Sequence, residues 1–415
     1  MPDTKDEGRQ PDIQLSDPEV MRDPFAVYGR AREQGPVARL TAPGFGGMWA
    51  VTRHAEARAL LSDPRFEIRT DSFLRPEVPD DCVPYMRTMA EMSGPEHLRL
   101  RRLVAPAFSA RRAAAFRPRI EAIVDRLLDE LAGHASPEDG TVDLLTHFAQ
   151  HLPMEVICEW VGIPEEDRPQ WRKYGATVSA GAGAEFAAAI PGIVRGAKEA
   201  VERRRREPKV VGQDVAPTGA ADLLGDLIHA QDEDGDRLSD VEMVTLIWHV
   251  VLAGQSPTPL VANAIDALLA HPEQLAALRA EPSLMPGAVE ELTRWTGPTL
   301  LSIPRYAAEE VELHGVRVAK GDAVTALVAA ANRDPRAFQD PERLDVRRTA
   351  PATPHLSFGH GPHFCLGASV ARIQTEVALA GLLRRFPDLA PAGEGESRRA
   401  MDPGTWRLEG LLVRL

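Results

Sequence analysis

Residues 355–367 read His-Leu-Ser-Phe-Gly-His-Gly-Pro-His-Phe-Cys-Leu-Gly and set one cysteine between glycines, with an aromatic ring and three histidines in the same stretch. Such a stretch is a loop, because glycine weakens any regular element it enters and permits backbone paths closed to other residues. The residues after it, 366–385, are apolar at helical spacing. Cys365 therefore stands at the mouth of a helix N-terminus, where the helix dipole favours a thiolate. A cysteine thiolate is one of the axial ligands of haem iron, and glycines let the backbone approach a flat macrocycle. The competing reading is a buried structural cysteine in a glycine-rich turn. The rest of the chain has to decide between them.

Composition removes several classes. A net charge of −13 lacks the basic footprint of a nucleic-acid binder. Cys82, Cys158 and Cys365 are too few and too scattered for a disulfide framework or a zinc cluster, which fits a reducing compartment. No apolar run approaches the ~18 residues of a membrane span, and the polar, charged start is unlike a signal peptide. A soluble cytoplasmic protein is expected. Residues 1–17 read as a disordered lead-in and residues 18–415 as one catalytic domain. At 44% hydrophobic the chain can bury a large core.

Asp23-Pro24-Phe25 opens a helix that runs to about Gln34. Residues 37–52 and 311–329 carry short strand patterns with glycine turns, and the remainder reads mostly as helices, among them 113–131, 142–161, 168–180 and 190–206. Residues 179–190, rich in Gly and Ala, read as a loop or lid, and residues 207–219 as a loop. Segment 67–94 is broken by prolines and bears Tyr85, Met86, Met89 and Met92, which suit either a helix core or a pocket roof. Just after it, His97 and Arg101 share a helix face at i and i+4. Arg203–Arg206 point all round a helix and read as solvated. The longest helical pattern, 238–271, starts with a capping box at Ser239 and Glu242. Its middle, Ala253-Gly254-Gln255-Ser256-Pro257-Thr258-Pro259, holds two prolines that cannot donate to preceding carbonyls, so a kink or local unwinding is expected.

The spacing Phe358-x-x-Gly361-x-His363-x-Cys365-x-Gly367 resembles the haem signature of the cytochrome P-450 family. Other stretches match the family in order. His97-x-x-x-Arg101 resembles its helix C pair, residues 253–259 its helix I, Glu291-x-x-Arg294 its buried pair with Arg343 as the third member, and residues 403–413 its terminal hairpin. The resemblance implies a mainly α fold with a small β-rich subdomain, and haem b ligated by Cys365. His97, Arg101, Arg305, His355 and His363 would hold the propionates, with Phe358, Gly359 and Gly367 shaping the loop. Ala253, Gly254, Gln255, Ser256 and Thr258 would form the oxygen and substrate side, and Leu300, Leu301 and Ile303 would line the pocket.

One departure matters. The family usually carries an acid and a threonine in helix I, whereas here Ser256 and Pro257 occupy those places and Thr258 comes one residue late. Proton delivery would then fall to Ser256, Thr258, ordered water or the substrate. The resemblance implies dioxygen-dependent oxidation of a small organic molecule, in the manner of bacterial enzymes that tailor natural products. Electrons would come from a ferredoxin and its reductase, since no flavin or nicotinamide fingerprint is present. Arg99, Arg102, Arg111 and Arg112 would offer that donor a basic patch on a monomeric protein. Two alternatives stay open: a coupling, ring-forming or peroxide-driven enzyme, and a haem-binding protein without turnover.

Overall fold

Two helices hold the centre of the fold, and both belong to the motif-bearing half of the sequence. The computed structural model describes residues 10–43, 45–73, 75–179, 183–206, 222–233, 238–349, 353–393 and 397–415. In it the long pattern after Leu238 forms helix Asp240–Ala253 and, beyond a turn, helix Pro257–Ala270. Ser239 caps the first, accepting from the Glu242 amide at 3.2 Å, while the Glu242 carboxylate accepts from the Ser239 amide at 2.8 Å. The prolines do not interrupt a helix interior. Pro257 begins the second helix, where a missing N–H costs nothing.

Helix Ala110–Gly133 lies along helix Ala368–Arg385, which follows the cysteine loop. Their approach is close: a Cβ on Gly381 would stand 2.9 Å from Val124. The largest apolar core gathers around these helices and helix Leu152–Val161. A six-stranded sheet forms the β-rich part, in the order Asp12–Gln14, Val37–Ala42, Phe45–Val51, Ala323–Ala326, Arg305–Ala307, Phe66–Glu67. Strand Arg305–Ala307 thereby carries Arg305 inward from the sheet.

Several expectations change. Within the supposed lead-in, residues 12–14 pair in parallel with strand Val37–Ala42, and Ile13 and Leu15 are buried. Their alternation is only two residues long, too short to stand out against polar neighbours. Residues 142–161 are not one helix. Strand Thr141–Asp143 pairs with Leu412–Arg414, a π-helical turn covers Leu145–Ala149, and Pro153 sits in the first turn of helix Leu152–Val161. Helix Ala184–Arg206 begins inside the expected lid, driven by its alanine run. Residues 180–182 and the expected loop 207–219 lie outside the described residues. The Arg203–Arg206 run is tied down rather than free: Arg203 pairs with Asp167 at 2.8 Å and Arg205 with Asp240 at 2.6 Å.

The buried trio forms with a different third member. Arg294 grips Glu291 through two bonds of 2.8 Å, and Arg348, not Arg343, completes it with Nε 2.9 Å from Glu291. Arg343 is exposed and, among the described residues, contributes its carbonyl rather than its guanidinium. Leu300, expected in a pocket wall, is fully buried in the core beside Leu327, while Ile303 is exposed.

Candidate functional site

Glycine geometry builds the cysteine loop. Gly359 and Gly361 adopt φ of +71° and +72°, the left-handed region that favours glycine. At Gly361 the need is doubled, since a Cβ there would lie 2.7 Å from the carbonyl oxygen of Leu61. The Cys365 amide donates to Phe358 O at 2.8 Å, which closes the loop and leaves Gly367 to start the following helix. Cys365 is accessible by area yet ringed by protein, as at the floor of a recess. That burial raises its thiol above the ordinary value. The amides of Gly367 and Ala368 and the guanidinium groups of Arg101 and Arg372 pull the other way, towards thiolate.

Four cationic or imidazole side chains converge beside the loop. His97 and His363 stack with ring centroids 4.1 Å apart, and Arg101 donates to Phe364 O at 2.5 Å. Arg305 is buried and, among the described residues, donates only to Phe66 O at 3.5 Å and leaves its buried Nε without a partner. Burial lowers Arg305 to about 10, and burial, with His97, Arg305 and Arg101 around it, pushes His363 down to about 3. Among the described residues, none of the four pairs with a carboxylate. Buried cations without counterions are costly, and two carboxylates beside a thiolate are what a haem would bring. The orphaned Arg305 Nε and the acid-free donor set fit that group.

His355 departs from expectation. Its Nδ1 accepts from the Ser357 amide at 3.2 Å, and its Nε2 lies 3.3 Å from Glu290. Glu290 also holds Arg372 at 2.5 Å, and Arg372 lies over the Phe358 ring at 4.6 Å. A nearby carboxylate has claimed this histidine. Burial would raise Glu290, but the bonds from His355 and Arg372 override it and hold the carboxyl at about 2. Sequence reading missed both Glu290 and Arg372. The only signal was Arg372 standing two helical turns beyond the cysteine.

On the opposite side, the helix break splits the expected distal residues. Backbone bonds tighten there, with the Ser256 amide on Ala253 O at 3.1 Å and the Thr258 amide on Gln255 O at 3.0 Å. Ala253 and Ser256 are exposed. Gly254 is pressed on Ile157, where a Cβ would come within 2.3 Å, and Gln255 lies against Gly175 of helix Arg168–Ser179. These two residues clamp the break rather than face outward with Ala253 and Ser256. Thr258 Oγ1 is buried and has no hydrogen-bond partner among the described residues.

Segment 67–94 packs onto the core. It holds short 3₁₀ turns rather than a helix, and Tyr85 O accepts from Trp248 Nε1 at 3.1 Å and from Thr245 Oγ1 at 3.3 Å. Met92 is buried in the core and Met86 and Met89 pack against it. The expected basic patch is halved. Arg99 pairs with Glu242 and Arg112 with Asp226, leaving Arg102 and Arg111 exposed.

Comparison with known proteins gives a consistent picture. A family model described as cytochrome P450 matches residues 195–402. The cytochrome P450 monooxygenase PikC of Streptomyces venezuelae is 39% identical, over 89% of this chain and 85% of that protein. The mycinamicin IV hydroxylase/epoxidase of Micromonospora griseorubida is 39% identical, over 87% of this chain and 88% of that protein. Among solved structures, a cytochrome P450 enzyme for C–S bond formation in chuangxinmycin biosynthesis, CxnD, superposes with a TM-score of 0.82 at 32% identity, covering 98% of each chain.

Proposed function

This chain is a cytochrome P450, and from that membership we propose that it oxidises a small organic intermediate of bacterial natural-product biosynthesis at a haem b bound by Cys365. The acid-free cluster of His97, Arg101, Arg305 and His363 beside that cysteine carries the reading. Haem b, when bound, supplies dioxygen activation, which a thiolate ligand promotes. The Gly367 and Ala368 amides, with the helix dipole behind them, stabilise negative charge on the sulfur. Arg101 and Arg305 would neutralise the propionates, His97 and His363 would offer them imidazole hydrogen bonds, and the Glu290–Arg372 pair braces Phe358 against the loop.

Ser256 and Thr258 are the hydroxyl groups available to hold or pass a proton at the break, and the Thr258 Oγ1 hydrogen has no competing acceptor among the described residues. Electrons come from a ferredoxin and its reductase, for which Arg102 and Arg111 remain as outward cations. The protein works as a cytoplasmic monomer. Its relatives, a mycinamicin IV hydroxylase/epoxidase among them, support a natural-product intermediate as substrate.

A second reading has its own observation. Ser256-Pro257 in place of the acid and threonine, together with the similarity to an enzyme of C–S bond formation, favours a coupling or ring-forming outcome. Turnover with a bacterial ferredoxin, its reductase and NADPH over a natural-product library separates the two by product mass. Oxygen insertion adds one oxygen, whereas coupling or ring formation removes two hydrogens. Oxygen and NADPH consumption that no library member stimulates would contradict both.

A further inference from the structure

Helix Asp240–Ala253 presents one face that no other side of it duplicates. Glu242, His249, Ala253 and Ser256 follow at intervals of seven, four and three, which aligns them along the helix. At the start of this face Glu242 pairs with Arg99 of helix Gly94–Val104. That same helix carries His97 and Arg101 to the cysteine loop. The other sides of helix Asp240–Ala253 are taken: Trp248 and Thr245 bind the 83–85 segment, Gly254 meets Ile157 and Gln255 meets Gly175. The remaining face ends at Ala253 and Ser256, both exposed.

His249 sits in the middle of that face and is partly accessible, between the buried Trp248 and Val250. Its one ring contact is with its own neighbour Trp248, edge-on at 5.9 Å. Among the described residues neither imidazole nitrogen has a hydrogen-bond partner. A recessed polar group of this kind is normally satisfied by water or by a ligand, and a few polar groups in an apolar recess are how small-molecule sites fix orientation. Burial holds the ring at about 4, so it is neutral at pH 7 and offers one donor and one acceptor.

We propose that His249 is the polar anchor of the substrate site, hydrogen-bonding a hydroxyl or ketone oxygen of a neutral, mostly apolar molecule so that the rest of it lies under Ala253 and Ser256. A cationic group is not the partner, because the one carboxylate on this face, Glu242, is already committed to Arg99. This deepens the reading of the protein as a P450 and rests on it.

The test is spin-shift titration of the haem-loaded protein with matched pairs: a hydroxysteroid and its deoxy analogue, and a hydroxylated macrolide aglycone and its deoxy analogue. Wild-type protein should bind the oxygenated member roughly two- to tenfold more tightly, the worth of one neutral hydrogen bond. His249→Phe should erase the difference, and His249→Gln should restore part of it. A His249→Phe variant that keeps the preference, or a wild-type protein that shows none or binds neither member, overturns the anchor. The reduced CO spectrum of each variant keeps this separate from the P450 reading. A normal thiolate band with lost discrimination supports the anchor, whereas loss of that band in the wild type would strike the reading beneath it.

Discussion

At the scale of single residues, charge without a counterion is the most telling feature. Arg305 is buried and its Nε has no partner among the described residues, which supports the proposal that it meets an acid from the haem. Arg305→Leu should fold but lose haem on gel filtration, read as a fall in Soret absorbance relative to protein; unchanged retention would remove Arg305 from the propionate set. Glu290 makes the opposite case. Its carboxyl is held at about 2 instead of 4.5 by His355 and Arg372, so its contribution is fully present above 4.5 and fades as pH falls towards 2. The thermal midpoint of wild type should exceed that of Glu290→Gln near pH 7, and the gap should close in acid. A pH-independent gap would mean that the pair contributes through packing alone. Cys365, His97 and Arg101 were legible in the sequence because short spacings fix them on one loop and one helix face. His355 was not, since its partner Glu290 arrives from another helix.

Among the elements, the helix break was readable and its surroundings were not. Two prolines and a glycine within seven residues announce a discontinuity in any helix. Nothing local shows that Ile157 and Gly175 close on Gly254 and Gln255, because those contacts come from separate helices. Gly254→Val should therefore force helix Leu152–Val161 outward, at a cost of roughly 1–3 kcal/mol. Denaturant unfolding measures it, and a neutral result would mean that the clamp is loose. Replacing Ser256-Pro257 with Glu-Thr tests chemistry at the same place. If the native segment limits proton delivery, less reduced oxygen should escape as peroxide per NADPH. If the segment serves coupling, the native product should disappear.

Across the whole molecule, the mainly helical architecture with a small sheet was visible from helical periodicity and short strand patterns, and the relatives and superposed structures agree. What escaped was assembled over long distances. Strand Asp12–Gln14 acquires its meaning only beside Val37–Ala42, and the third arginine on Glu291 depends on how the 340–348 segment folds. That buried trio ties helix Met285–Thr296 to this segment. Glu291→Gln would leave Arg294 and Arg348 with an uncompensated buried charge and should cost about 3–5 kcal/mol, with global rather than local unfolding; calorimetry showing an unchanged midpoint would refute the account of the trio.

The central claim is that Cys365 ligates haem in a pocket whose basic residues are waiting for its propionates. The difference spectrum of the dithionite-reduced, CO-bound protein against the reduced protein tests it directly. The account predicts a Soret band at the strongly red-shifted thiolate position in the wild type and its loss in Cys365→Ala. A histidine-type band in repeated wild-type preparations, or an unchanged band in Cys365→Ala, would contradict it.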